Sequence, residues 1–168
     1  LFISHDLPLM LAFADRVGIL YKGKLVDVAV PGDLGLSERH PYTKKLMHAF
    51  PSLTGPRSLA APAREASADG TSPEPKALLS IRGLHKSYKT GTGLRKRRRQ
   101  VLRDVSFDVH EGEIVALVGE SGCGKSTIAR QVMRIETPDS GEMMFQGEDV
   151  LAREPHRASL AYRGRVQV

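Results

Sequence analysis

Cys123 is the only cysteine in this chain of 168 residues. It cannot close an internal disulfide, and its isolation suits a reducing compartment. Long apolar runs are missing as well. None approaches the ~18 residues a membrane-crossing helix requires, and no secretory signal pattern opens the sequence. The expected setting is therefore cytoplasmic, with any membrane association supplied by a partner. The chain also lacks an initial methionine. It opens at Leu1, inside the apolar run Leu1-Phe2-Ile3, and closes on Arg165-Val166-Gln167-Val168, which reads as the start of a strand. Ends of that kind read as those of a piece of a longer protein.

What is present describes a globular chain. It is 40% hydrophobic and 26% charged, too apolar for a disordered one. Net charge is +6, with a sequence pI near 9.7, so an anionic partner fits the balance. That charge is uneven, because Arg95-Lys96-Arg97-Arg98-Arg99 supplies a large share of it. Arginine-rich runs bind phosphates, including those of nucleic acid. No aromatic side chain interleaves with this run, however, so it reads as a solvated loop before a strand, and no nucleic-acid partner is expected.

Three segments follow from composition and periodicity. In residues 1–55, Leu1 to Ser4 reads as a short buried strand, and Leu7, Met10, Leu11 and Ala14 share one helical face. Asp6 can cap that helix, with Pro8 tolerated in its first turn. Arg16 to Tyr21 and Leu25 to Val28 read as a hairpin around Lys22-Gly23-Lys24, and Pro41 opens a helix to about Phe50. Residues 56–76 carry Pro56, Pro62, Pro73 and Pro75 among Ala, Ser and Gly, which predicts a flexible linker. In residues 77–168, Leu78 to Ile81 and the alternating Val105, Phe107 and Val109 predict strands. His110 to Glu113 predicts a turn, and Ile114 to Val118 a strand buried on both faces. A helix is expected over Ser126 to Arg134, then a turn, then a strand from Glu142 to Phe145.

The most informative stretch is Gly119-Glu120-Ser121-Gly122-Cys123-Gly124-Lys125-Ser126-Thr127. A buried strand before it and a helix after it give the Walker A spacing its structural context. Glycines let backbone N–H groups converge on phosphates without Cβ clashes, and the helix N-terminus adds partial positive charge. Lys125 is placed to reach the β- and γ-phosphates of ATP, and the Ser126 hydroxyl to bind Mg²⁺. Cys123 has no identifiable partner base and reads as a tolerated small residue.

These residues resemble the ATP-binding subunits of ABC transporters. Val105-Ser106-Phe107 through Gly112-Glu113 and the phosphate loop look like the start of such a domain. Glu136 to Gly141 and Gly147 to Val150 continue the likeness. The resemblance implies an α/β P-loop NTPase fold, incomplete here, with an antiparallel β subdomain. It also makes Tyr88 the aromatic that stacks on adenine, where the residue alone reads equally well as a core tyrosine. Residues 1–55 resemble the other end of the same kind of domain. Phe2 to Leu7 is similar to the switch-histidine segment, which implies that His5 contacts the γ-phosphate and the attacking water; a lone histidine after a strand would otherwise read as structural. His40-Pro41-Tyr42-Thr43, with Leu46 and Pro51, looks like the C-terminal region of oligopeptide and dipeptide importers.

The end of one ATPase domain thus precedes the beginning of another, and the simplest account is a junction of two tandem domains. The implied function is ATP binding and hydrolysis that powers peptide import at the cytoplasmic face of the membrane. Its implied partners are transmembrane permease subunits, a second ATPase domain and, indirectly, a periplasmic or extracellular peptide-binding protein. Alternatives are a non-transport ATPase acting on nucleic acid, and an inactive nucleotide-binding fragment. The signature run, the Walker B strand and its catalytic glutamate do not occur in these 168 residues, so neither Glu120 nor Glu136 is given that role. By register Gln167 resembles an earlier glutamine than the functional one of the family's glutamine loop. In a complete transporter His5 and Lys125 would serve different nucleotide sites. A competing expectation is that Leu1-Phe2-Ile3 pairs with Val115-Ala116-Leu117 within this chain and completes one site.

Overall fold

A computed structural model of the chain describes residues 1–36, 38–49, 77–91, 97–153 and 158–166. The linker expected at 56–76, Phe50, Pro51 and Gln167 lie outside the described residues.

Two four-stranded sheets organise the fold. The first contains β1 (Phe2–Ser4), β2 (Arg16–Tyr21), β3 (Lys24–Ala29) and β6 (Val115–Val118), in the order β1-β6-β2-β3. β6 runs parallel to both β1 and β2, while β2 and β3 form the antiparallel hairpin. The second is fully antiparallel. It contains β4 (Ala77–Thr90), β5 (Arg97–His110), β7 (Ser140–Phe145) and β8 (Glu148–Asp149), in the order β5-β4-β7-β8. Helices α1 (Leu7–Phe13), α2 (Pro41–His48), α3 (Lys125–Val132), α4 (Val150–Arg153) and α5 (Leu160–Arg165) complete the described elements, with a 3₁₀ turn at Pro31–Gly35.

β6 explains its own unbroken apolar run. Val115 and Leu117 point into one core with Leu102, Phe107, Ile128 and Met143, against the second sheet and α3. Ala116 and Val118 point into the other core, with Leu7, Leu11 and Tyr42 of α1 and α2. Alternate residues of a strand face opposite ways, so a strand between two cores needs apolar side chains throughout. Each end of α1 is set by sequence. The Asp6 carboxylate accepts from the Leu9 N–H at 3.0 Å, and Ala14 leaves the helix in extended backbone.

The motif His40 to Thr43 is absorbed in holding α2. The His40 ring accepts from the Tyr42 N–H, the His40 N–H donates to Asp27 of β3, and the Thr43 hydroxyl donates to the same carboxylate. Tyr42 stacks on Tyr21 with ring centroids 4.2 Å apart.

Three expectations need correction. The basic run is not wholly a loop, since Arg97 to Gln100 pair with Ser87 to Thr90 and extend β5 past the core as a two-stranded arm. Backbone ladder bonds sustain the arm where side-chain packing does not. The helix after the phosphate loop spans Lys125–Val132 rather than Ser126 to Arg134, and Arg134 adopts a left-handed φ of 56°, which ends it. Arg165 closes α5 instead of opening a strand. Ser159 caps that helix by accepting from the Tyr162 N–H, and buried Tyr162 donates to the Val132 carbonyl. Only Val166 is extended among the described residues there.

Candidate functional site

Strand register brings the two sequence blocks to one place. Ser4 pairs with Val118 across the β1–β6 ladder. The next residues, His5 and Gly119, therefore leave the sheet side by side at its C-terminal edge, where ligands bind in open α/β sheets. On the other side Ile19 pairs with Val118, which puts Leu20 beside Gly119. The expected pairing of Leu1-Phe2-Ile3 with Val115-Ala116-Leu117 is thus present in that register, with Phe2 opposite Ala116 and Ile3 opposite Leu117, and the ladder continues to Ser4 and Val118.

The phosphate loop is packed too closely for side chains at two positions. A Cβ on Gly119 would lie 2.2 Å from the Leu20 carbonyl oxygen. One on Gly124 would lie 2.7 Å from the Leu102 side chain, and Gly124 has φ +114°, a conformation L-residues rarely adopt. α3 begins at the next residue, with the Thr127 and Ile128 N–H groups donating to the Gly124 carbonyl at 3.0 Å, while the N–H groups of Lys125 and Ser126 precede the first helical acceptor. Lys125 Nζ donates to the Gly119 carbonyl at 2.6 Å and the Glu120 carbonyl at 2.9 Å, and lies 3.7 Å from Cys123 Sγ. A glycine cradle, a helix N-terminus and a lysine arched across the loop fit a nucleotide's phosphates. The exposed Ser126 hydroxyl at the head of α3 fits Mg²⁺ held jointly with phosphate oxygens. Among the described residues no group of three or more His, Cys, Asp and Glu side chains would hold a metal unaided.

An open cavity of about 500 Å³ joins these parts, lined by His5 and Tyr88 together with Ser121, Gly122, Gly124, Lys125, Ser126 and Thr127. Gly119, Glu120 and Cys123 do not line it. Gly119 is buried, Glu120 is exposed outside the cavity's lining, and Cys123 packs in the core with Ile128 and Leu117. Tyr88 is half-buried on β4, and its hydroxyl donates to the Glu136 carboxylate. Burial foremost, then the Glu136 contact, holds its phenol above the usual range. Its ring carries Lys86 Nζ at 5.6 Å from the centroid.

Sequence reading missed Thr90, Arg99 and Val101, which also line the cavity. Arg99 stands directly across the ladder from Tyr88. The signal was present in the basic run, but its partner strand was visible only after folding, because Tyr88 and Arg99 meet through a bulged register.

The chain is similar in sequence to ATP-binding proteins of ABC transporters. The sequence profile of the ABC transporter family matches residues 102–167. The glutathione import ATP-binding protein GsiA of Escherichia coli (strain K12) is 34% identical over 171 aligned residues, covering 92% of this chain and 27% of that protein. GsiA of Salmonella typhimurium is 32% identical, covering 89% of this chain and 27% of its own. The chain therefore spans about a quarter of the length of the curated relatives it matches. A solved structure of an ATP-binding subunit of an ABC transporter covers 51% of this chain and 30% of its own, at 34% identity and a TM-score of 0.40.

Proposed function

Because the chain belongs to the ABC transporter family, we propose that it forms the nucleotide-gripping part of an ATPase that powers peptide import through membrane-embedded partners. The observation that carries this reading is the ladder that sets His5 beside Gly119 at the mouth of the phosphate loop. In this reading the backbone amides of Gly119 to Thr127 hold the triphosphate, Lys125 exchanges its loop carbonyls for the β- and γ-phosphates, and Ser126 binds Mg²⁺. Tyr88 stacks on the adenine, and His5 reaches the γ-phosphate. ATP and Mg²⁺ are the cofactors. Peptide as cargo rests on the motif His40 to Thr43 and on relatives named for glutathione, itself a small peptide.

Permease subunits, a second ATPase domain and an external peptide-binding protein are the proposed partners. They place the working assembly on the cytoplasmic face of a membrane. Among the described residues no helix is long and apolar enough to cross one, so attachment through partners accounts for the location. Residues 1–55 and 77–168 are proposed to derive from two tandem ATPase domains joined by 56–76.

An Mg-ATP titration of the full chain against Lys125→Ala tests the reading. Weak saturable binding is expected, reduced at least tenfold in the variant, since losing a charge-assisted phosphate contact costs about 1.5–3 kcal/mol. Hydrolysis by this chain alone is expected to be undetectable, because no Walker B glutamate occurs in its sequence. Equal affinity in the two proteins, or robust turnover, would defeat the proposal.

A further inference from the structure

A second cavity of about 620 Å³ adjoins the first, and the two share Thr90, Arg99, Val101, Ser121 and Gly122. Its walls are strongly cationic. Lys22 contributes from the β2–β3 turn, and Arg97, Arg98, Arg99 and Arg103 from β5; among the described residues Glu120 is the only carboxylate lining it. Arg98 is engaged with Asp139 at 3.0 Å. Lys22, Arg97, Arg99 and Arg103 form no ion pair among the described residues, and Glu120 forms none with them.

The backbone explains the clustering. Arg97 and Arg99 stand two apart on β5, opposite Thr90 and Tyr88, and Arg98 between them pairs with Asp139. Gly23 locks the Lys22 turn against β5, with the Arg103 N–H donating to the Gly23 carbonyl at 2.8 Å. A Cβ at Gly23 would lie 2.2 Å from the Val101 carbonyl oxygen. The cations are thus gathered on one cavity by a turn and a ladder, and a bound anion would relieve their mutual repulsion.

We propose that Lys22, Arg97, Arg99 and Arg103 form a second phosphate site that takes a small polyphosphate anion beside the nucleotide, with Arg99 contributing to both sites. Guanidinium groups suit phosphate oxygens because their N–H fork bonds two at once. Nucleic acid fits less well. Among the described residues the groove has no aromatic wall on which bases would stack, and Glu120 interrupts the track a long phosphate backbone would follow. This site rests on the phosphate-loop reading only through the shared residue Arg99.

The test is calorimetric titration of sodium pyrophosphate into the full chain at about 0.15 M ionic strength, with ADP saturating the phosphate loop. One further equivalent of pyrophosphate is expected to bind. The double variant Arg97→Gln, Arg103→Gln should weaken it at least tenfold, leaving ADP affinity within twofold. Arg97→Lys with Arg103→Lys should restore most of the loss, which separates charge from a folding defect. A parallel titration of Lys125→Ala without ADP keeps the two readings apart. If ADP fails to bind the parent chain but pyrophosphate still binds this variant, only the nucleotide reading falls. Absence of pyrophosphate binding under ADP, or binding indifferent to both arginines, overturns the second site. So does a DNA duplex that displaces pyrophosphate with more than tenfold higher affinity.

Discussion

Lys125 must leave two carbonyl oxygens before it can meet a phosphate. Its bonds to Gly119 and Glu120 hold the loop arched, so the residue proposed to bind the ligand also shapes the cradle. Tyr88 separates in the same way into a ring and a hydroxyl. If the ring stacks on adenine, Tyr88→Ala should weaken ATP about five- to tenfold or more, since base–aromatic stacking contributes about 1–3 kcal/mol. Tyr88→Phe should retain most of the affinity while losing only the bond to Glu136. Comparing ATP with inorganic triphosphate checks this, because Tyr88→Ala should leave the baseless ligand unaffected. At this scale the phosphate loop was legible because its chemistry is written in one contiguous run. Arg99 was not legible, since its role depends on a neighbour eleven positions away in sequence across a bulged ladder.

Between elements, a bidentate polar tie joins the two blocks. Arg16 at the start of β2 donates through both Nε and Nη2 to the Glu113 carboxylate just before β6, and also to the Asp108 carbonyl. The His110 N–H and ring complete the carboxylate's partners. Burial acts to raise the Glu113 pKa, but the bonds from Arg16 and His110 outweigh it and hold the carboxyl below its ordinary value. A depressed folded pKa stabilises the fold above the unfolded value and ceases to do so as pH falls through the folded one. Thermal melts should therefore lose stability below about pH 4.5, and Arg16→Ala should flatten that acid limb. The same substitution should cost about 1–3 kcal/mol at neutral pH. An acid limb unchanged in Arg16→Ala would show that the tie is not coupled to folding. Gly119→Ala forces a Cβ against the Leu20 carbonyl, so a melting temperature lower than that of the parent and weakened ATP binding should appear together. Strand and helix positions were largely readable from periodicity and capping residues. The β5 arm was not, because arginines in a strand beyond the core carry no hydrophobic pattern.

On the scale of the whole molecule, β6 is the shared wall. Its two faces divide the cores, and its two edges carry β1 and β2 from the other block. Sequence resemblance suggested two ends of two domains, and parallel pairing makes of them a single sheet with one candidate site at its C-terminal edge. The family was readable from motifs, and so was the possibility of pairing. The folded ladder has the register of that expected pairing and carries it on through Ser4 and Val118, which seats His5 beside Gly119. Backbone amide chemical shifts of the ¹⁵N-labelled full chain during addition of Mg-ATP report on that arrangement directly. The largest changes are expected at Gly119 to Thr127 and at His5, and all of them should vanish in Lys125→Ala. Shifts confined to residues distant from the loop, or none at His5 while the loop responds, would contradict a single site built by both blocks.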